Sequence, residues 1–145
     1  MIRKTFLFLI IIIFSNNFNV VFSKSNFFEE ARKKFDEKKL DESKFLFQRD
    51  IVFNPKNSNS YLYLAKIYNY EENQKEEEKN LNTALLLEPD NEDAMYMLIN
   101  VQLKKSNYER VNELSKKFTL ICINLCPEII KIEETLKNIE PNNDS

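Results

Sequence analysis

The chain contains no glycine, no histidine and no tryptophan. Each absence removes a class of chemistry. Without histidine the usual general base is gone, and with it the histidine-dependent triads and the usual catalytic zinc sites. Without glycine neither common phosphate-cradling loop forms. Cysteine is scarce: Cys122 and Cys126 stand alone, and no histidine exists to complete a metal site with them. Carboxylates remain in number. They lie in lysine-mixed runs, as at Glu71, Glu72 and residues 76–78, which is the composition of a solvated helix face rather than of a catalytic pair.

A strong charge of one sign is missing too. There are 21 basic and 23 acidic residues, a net −2, well mixed along the chain. That argues against nucleic acid, which wants a clustered basic face. No cofactor, metal or small-molecule substrate is indicated, and the chain reads as a non-enzyme. Its 145 residues suffice for one domain with a modest core. The abundance of Asn, Lys, Ile and Phe matches AT-rich codons, which accounts for Lys outnumbering Arg without invoking function.

Residues 1–23 read as a targeting segment. Arg3 and Lys4 supply a positive start, residues 6–14 (FLFLIIIIF) an unbroken apolar run, and Val21 and Ser23 the positions a signal peptidase reads. Cleavage is expected after Ser23, leaving 19 basic residues against 23 acidic ones, a net −4. The apolar run is short for a bilayer span of about 20 residues. The alternative is an uncleaved anchor that uses Phe18, Val20, Val21 and Phe22 to lengthen the span, at the expense of three asparagines in hydrocarbon. The expected location is therefore exported, periplasmic or secreted, with membrane contact only if residues 1–23 are retained.

The rest of the chain is organised around residues 58–89. Tyr61, Leu64, Ala65 and Tyr68 share one helical face, and Leu81, Ala84 and Leu85 repeat the pattern before Pro89. Two short amphipathic helices with a polar break make a helical hairpin. Tyr61, Leu64, Ala65, Tyr68, Ala84 and Pro89 resemble the 34-residue signature of the tetratricopeptide repeat; Glu77 departs from it, standing where the family prefers Ala. Pro55 lies 34 residues before Pro89, and the same register places Phe27, Ala31, Leu40, Ser43 and Phe47 of residues 24–57 on signature positions, with Lys34 in place of the family's Tyr. A third unit follows at 92–126, with Met95, Leu98, Ile99, Tyr108 and Val111 in register. Its Pro is missing, and Val111, Leu114, Phe118, Cys122 and Leu125 keep a three-four spacing, which predicts a long second helix to about Leu125. Pro127 then opens a helix over 127–140, with Ile129, Ile132, Leu136 and Ile139 in one stripe, fit to cap the stack. Residues 141–145 are a polar tail. The fold class is all-α: a solenoid of about three helical hairpins plus a C-terminal capping helix.

The family usually places Gly in the turn of each hairpin. Here Lys38, Glu72 and Ser106 occupy those positions, and Asn73 and Asn107 follow two of them. Asn tolerates left-handed backbone, so it is expected to stand in for Gly. Cys122 and Cys126, four apart on the predicted long helix, read as small core hydrophobes. A disulfide between them requires the last helical turn to unwind before Pro127.

The resemblance implies a non-catalytic protein-interaction scaffold with a concave groove lined by the first helix of each hairpin. Carried over position by position, the groove residues are Phe28, Arg32 and Phe35, then Leu62, Lys66 and Asn69, then Tyr96, Asn100 and Leu103. Such an apolar, aromatic surface with a few donors suits an extended peptide or an amphipathic helix of a protein partner. The same residues also read as fillers between neighbouring helices. Tyr63 and Tyr70 face away from the packing stripe and read either as partner contacts or as exposed rings. The alternatives are a membrane-anchored subunit of an envelope assembly, a carboxylate-dependent hydrolase using Asp36 and Asp93 at the groove rim, and self-association through an apolar edge.

Overall fold

The computed structural model describes residues 26–139. The expectations placed on residues 1–23, on the side chain of Ile139 and on the tail 141–145 lie outside that description. Among the described residues there are seven helices: α1 (Phe27–Asp36), α2 (Leu40–Phe53), α3 (Ser58–Tyr70), α4 (Gln74–Leu87), α5 (Glu92–Lys104), α6 (Tyr108–Ile121) and α7 (Pro127–Ile139). Helices α1–α2, α3–α4 and α5–α6 pair as hairpins, each hairpin packs on the next, and α7 closes the stack against the third.

The core has two lobes that meet in α3. Leu64, Ile67 and Tyr68 of α3 pack with Ala31, Leu46 and Phe47 of the first hairpin. Leu62 and Ala65, on the other side of α3, pack with Leu81, Ala84, Leu98, Ile99, Phe118 and, from α7, Ile132 and Leu136. Burying each such aliphatic or aromatic side chain is worth roughly 1.5–3 kcal/mol.

The hairpin turns depart from the sequence expectation in an instructive way. Lys38, Glu72 and Ser106 themselves take the left-handed conformation, with φ of 61°, 56° and 55°. The next residue's N–H then reaches back to the carbonyl five residues earlier, Lys39 to Lys34, Asn73 to Tyr68 and Asn107 to Gln102, at 2.9–3.0 Å. This satisfies carbonyls that the helix end leaves free. Asn73 and Asn107 do not replace Gly. Each caps the following helix, its side-chain oxygen accepting from the N–H of Glu76 or Arg110. The amide side chain has a donor to meet there, and the preceding residue absorbs the backbone reversal instead.

The third hairpin also differs from expectation. Helix α6 stops at Ile121 and does not reach Leu125; Cys122 is extended, with φ −64° and ψ 141°. Cys122 and Cys126 are joined by a disulfide across a Cα separation of 5.2 Å, so they are not free core thiols. Two further causes end the helix. The Glu92 carboxylate, in the first turn of α5, accepts from the N–H groups of Ile123, Asn124 and Leu125 at 2.7, 3.0 and 3.3 Å. These donors hold its pKa down to about 2. Pro127 then begins α7 where its missing N–H does no harm.

Inside the second hairpin, Glu77 is only 2 % exposed. One carboxylate oxygen accepts from Asn69 Nδ2 at 2.8 Å. Burial raises its pKa above the ordinary 4.5, while the Asn69 hydrogen bond and the Lys104 charge pull the other way.

Two predictions follow from these local features. Ser106→Gly relieves the left-handed backbone and stabilises the protein by about 1 kcal/mol net of the added freedom of the unfolded chain. Ser106→Val destabilises it, because a β-branched residue resists positive φ. Urea unfolding measures both. For Glu77, the native state keeps a proton that the unfolded chain releases between pH 4.5 and the raised value. Stability from this group therefore falls as pH rises through that window and is level above it. Glu77→Gln removes the fall, so the variant gains on the wild type over the same rise. Glu92 and Glu113, held near about 2, titrate below the window. Urea midpoints across the window check this; parallel profiles for the two proteins contradict it.

Candidate functional site

Helices α1, α3 and α5 carry the expected groove residues. Tyr63 of α3 is their hub at the first hairpin. Its ring lies 5.1 Å from Phe35 and 5.9 Å from Phe28, edge to face in both cases, and stacks on Phe47 at 5.1 Å. Tyr63 is thus a packing residue as much as a surface one. Phe28 and Phe35 are half-buried on either side of it. Tyr70, by contrast, is 59 % exposed. Its ring is 6.1 Å from Phe35, and Lys38 Nζ sits over both rings at 5.6 and 5.9 Å. Cation–π contacts of this kind are worth about 0.5–1 kcal/mol at exposed sites.

The middle of the groove is polar. Lys66 Nζ donates to Asp93 Oδ2 at 2.9 Å and lies 5.2 Å over the Tyr63 ring. This ion pair ties α3 to α5. Asn69 is half-buried and turned to Glu77. Arg32 is exposed and 3.6 Å from Glu29 on its own helix.

The remaining expected residues are placed differently. Leu62 is 4 % exposed within the second core lobe, so it offers a partner almost no surface. Its position on the helix suits the groove, but it is buried in the lobe that the second and third hairpins share. Tyr96 is half-buried, stacks on Phe118 at 6.1 Å and donates to Glu128 Oε2 of α7 at 3.0 Å. With Lys131 and Tyr96 both bonded to it, the Glu128 carboxyl titrates below its ordinary range. Leu103 is half-buried and packs on the same lobe, and Asn100 is half-buried on α5. The capping helix thus uses up part of the groove's third-repeat end.

At the turn end of the second hairpin, Asn69, Glu72, Gln74, Glu77 and Lys104 surround a polar cavity of about 320 Å³. Sequence reasoning singled out Glu77 as a departure but did not make it part of a site. In the sequence Tyr70 reads as a partner contact or an exposed ring, and Lys38 only as a turn position; their contact joins two hairpins 32 residues apart, which no linear spacing reports. Among the described residues no group of metal-ligating side chains is present.

No family model matches the chain. No curated protein matches it either. Solved structures do. The Yersinia enterocolitica type III secretion chaperone SycD, in complex with a peptide of the translocator YopD, superposes with a TM-score of 0.75 at 12 % identity, over 85 % of this chain and all of that one (100 %). The TPR2B domain of yeast Sti1, in a complex with pHsp70, gives 0.70 at 16 % identity, over 80 % of this chain and 100 % of that one. The second TPR domain of human RPAP3, in complex with an HSP70 peptide, gives 0.66 at 15 % identity, over 77 % and 92 %. At such identities the likeness is one of fold. Together with the 34-residue register, the three stacked hairpins and the two-lobed core, it establishes that this chain has the tetratricopeptide-repeat fold.

Proposed function

We propose that the protein is a non-catalytic interaction scaffold whose groove takes an extended segment of a protein partner. One observation carries this: the rings of Phe35, Tyr63 and Tyr70, with Lys66 over Tyr63 and the turn residue Lys38 over the other two, present a contiguous aromatic and cationic surface backed by the core. A rigid surface reduces the ordering that binding requires, and a few aromatic anchors supply most of the affinity. The three similar structures named above are each in complex with a protein or peptide, which supports the same reading. In this reading Phe35, Lys66, Asn69 and Asn100 contact the partner, with Arg32 at the rim. Tyr96, Leu103 and Phe28 shape the groove, and Leu62 only supports it.

We infer further that the protein works outside the cytoplasm. Arg3, Lys4 and the apolar run 6–14 support this, as does the Cys122–Cys126 disulfide, since disulfides persist in oxidising compartments. Mass spectrometry of the protein from its native source should find Lys24 at the N-terminus. An intact Met1 in a membrane fraction would establish the anchored form instead.

For the groove, peptides selected from a displayed library should bind the wild type and lose about tenfold in affinity with Tyr70→Ala or Phe35→Ala. Circular dichroism and unfolding midpoints separate lost contact from lost fold. Undiminished binding by both variants moves the site off this surface.

A further inference from the structure

We propose that the cavity at the α3–α4 turn is a receptor for a guanidinium group, an arginine side chain that a groove-bound partner inserts. The partner half of this inference rests on the scaffold reading; the cavity's preference for guanidinium does not.

The cavity is built around a buried acid. Glu77 is 98 % removed from solvent yet lines the space, and among the described residues Asn69 is the one donor to its carboxylate. The second oxygen accepts no hydrogen bond among the described residues and is not fully enclosed, since Ser115 Oγ is the one enclosed polar side-chain atom there without a partner; it is free to meet a donor that enters the cavity. Lys104 stands on the rim and acts on Glu77 through space, but no ion pair joins them. Glu72, exposed at the left-handed turn position, adds a second carboxylate to the lining. Above the pH at which Glu77 ionises, two acids face one ammonium and the lining carries a net negative charge.

The other acids nearby are already engaged. Glu71 is paired with Lys44 at 2.9 Å, and Glu78 with Lys105 at 2.8 Å and with Gln102 at 2.7 Å. Glu77 and Glu72 thus form no ion pair among the described residues. Gln74 and Asn69 add amide side chains to the lining, each with one acceptor oxygen. A planar fork of N–H donors matches several acceptors spread around a wall better than a compact ammonium does. At about 320 Å³ the space is large for one water and of the order of a small ligand site. Asn69 belongs both to the groove and to the cavity, so a segment lying on α3 passes its mouth.

The test uses the purified protein and two probes, N-acetyl-arginine methylamide and its neutral isostere N-acetyl-citrulline methylamide. Amide NMR spectra follow the Asn69 and Gln74 side chains. The expected result is saturable shifts with the arginine probe, about tenfold weaker with the citrulline probe and about tenfold weaker in Glu77→Gln. Glu77→Gln keeps an acceptor for Asn69; Glu72→Gln, at an exposed position, should weaken binding severalfold and serves if the first variant folds poorly. Equal affinity for both probes, or affinity unchanged in both variants, overturns the inference. The two readings fail separately. If selected peptides bind but tolerate citrulline at every arginine, the cavity inference falls and the groove stands. If the arginine probe binds but no peptide does, the groove falls and the cavity's chemistry stands.

Discussion

Helix α3 is buried on two opposite faces, and the rest of the molecule depends on that constraint. Seven of its residues are buried, including Leu64, Ile67 and Tyr68 toward the first hairpin and Leu62 and Ala65 toward the third. A thirteen-residue helix with two apolar faces is not stable alone in water. Nor does one hairpin hide both stripes. The second hairpin needs a neighbour on each side, which is why the repeats exist as a stack and why its ends require special treatment.

The two ends are treated differently. At the start, aromatic residues thicken a short hairpin: Phe28, Phe35 and Phe47 converge on Tyr63, and Arg49 lies 4.3 Å over the Phe27 ring. At the finish, α7 lays Ile132 and Leu136 over the last lobe. A helix attached by so few apolar side chains needs a firm connection. The disulfide closes that connection, and Glu92 holds the backbone of the closed loop with three N–H donors. Tyr96 adds a bond to Glu128. The cap is therefore bonded to the last groove helix, α5, through Tyr96.

Much of this architecture was legible in the sequence, because repeat spacing and helical periodicity are linear signals. The 34-residue interval from Pro55 to Pro89 set the register, and the stripes on residues 58–89 and on α7 marked their buried faces. What was not legible depended on contacts distant in sequence. The three-four pattern running through Cys122 and Leu125 is a genuine apolar stripe, yet Glu92, some thirty residues earlier, takes the N–H groups that would have continued the helix. Positions 38, 72 and 106 were identified as turns, but the division of labour between a left-handed residue and the Asn after it depends on hydrogen bonds the sequence does not display. Leu62 had the spacing of a groove residue; only the tertiary packing of its lobe shows that it is covered. Glu77 was visible as an anomaly, though its cavity is assembled from three helices and a turn.

The buried polar groups explain why the stack has one register rather than several. Asp50 is 1 % exposed, where the next repeat has Ala84. Its two oxygens accept from Asn54, Asn57 and Ser60 at 2.6–2.7 Å. At the other side of the same helix start, Ser58 donates to Glu88 at 2.6 Å, and Asn91 donates to the same carboxylate. Those two bonds pull the Glu88 pKa below its ordinary value. So the first turn of α3 is tied to the helix before it through Ser60 and to the end of α4 through Ser58. Apolar faces alone tolerate sliding, since one methyl group replaces another at little loss. A buried carboxylate with three short hydrogen bonds, as at Asp50, does not: a shift of one residue leaves it unmet, at the desolvation cost of a charged group. Helix α3 is accordingly held by its oily faces and positioned by two acids at its N-terminus. That fixed position is what allows Tyr63, Lys66 and Asn69, one, two and three turns further on, to face the groove together.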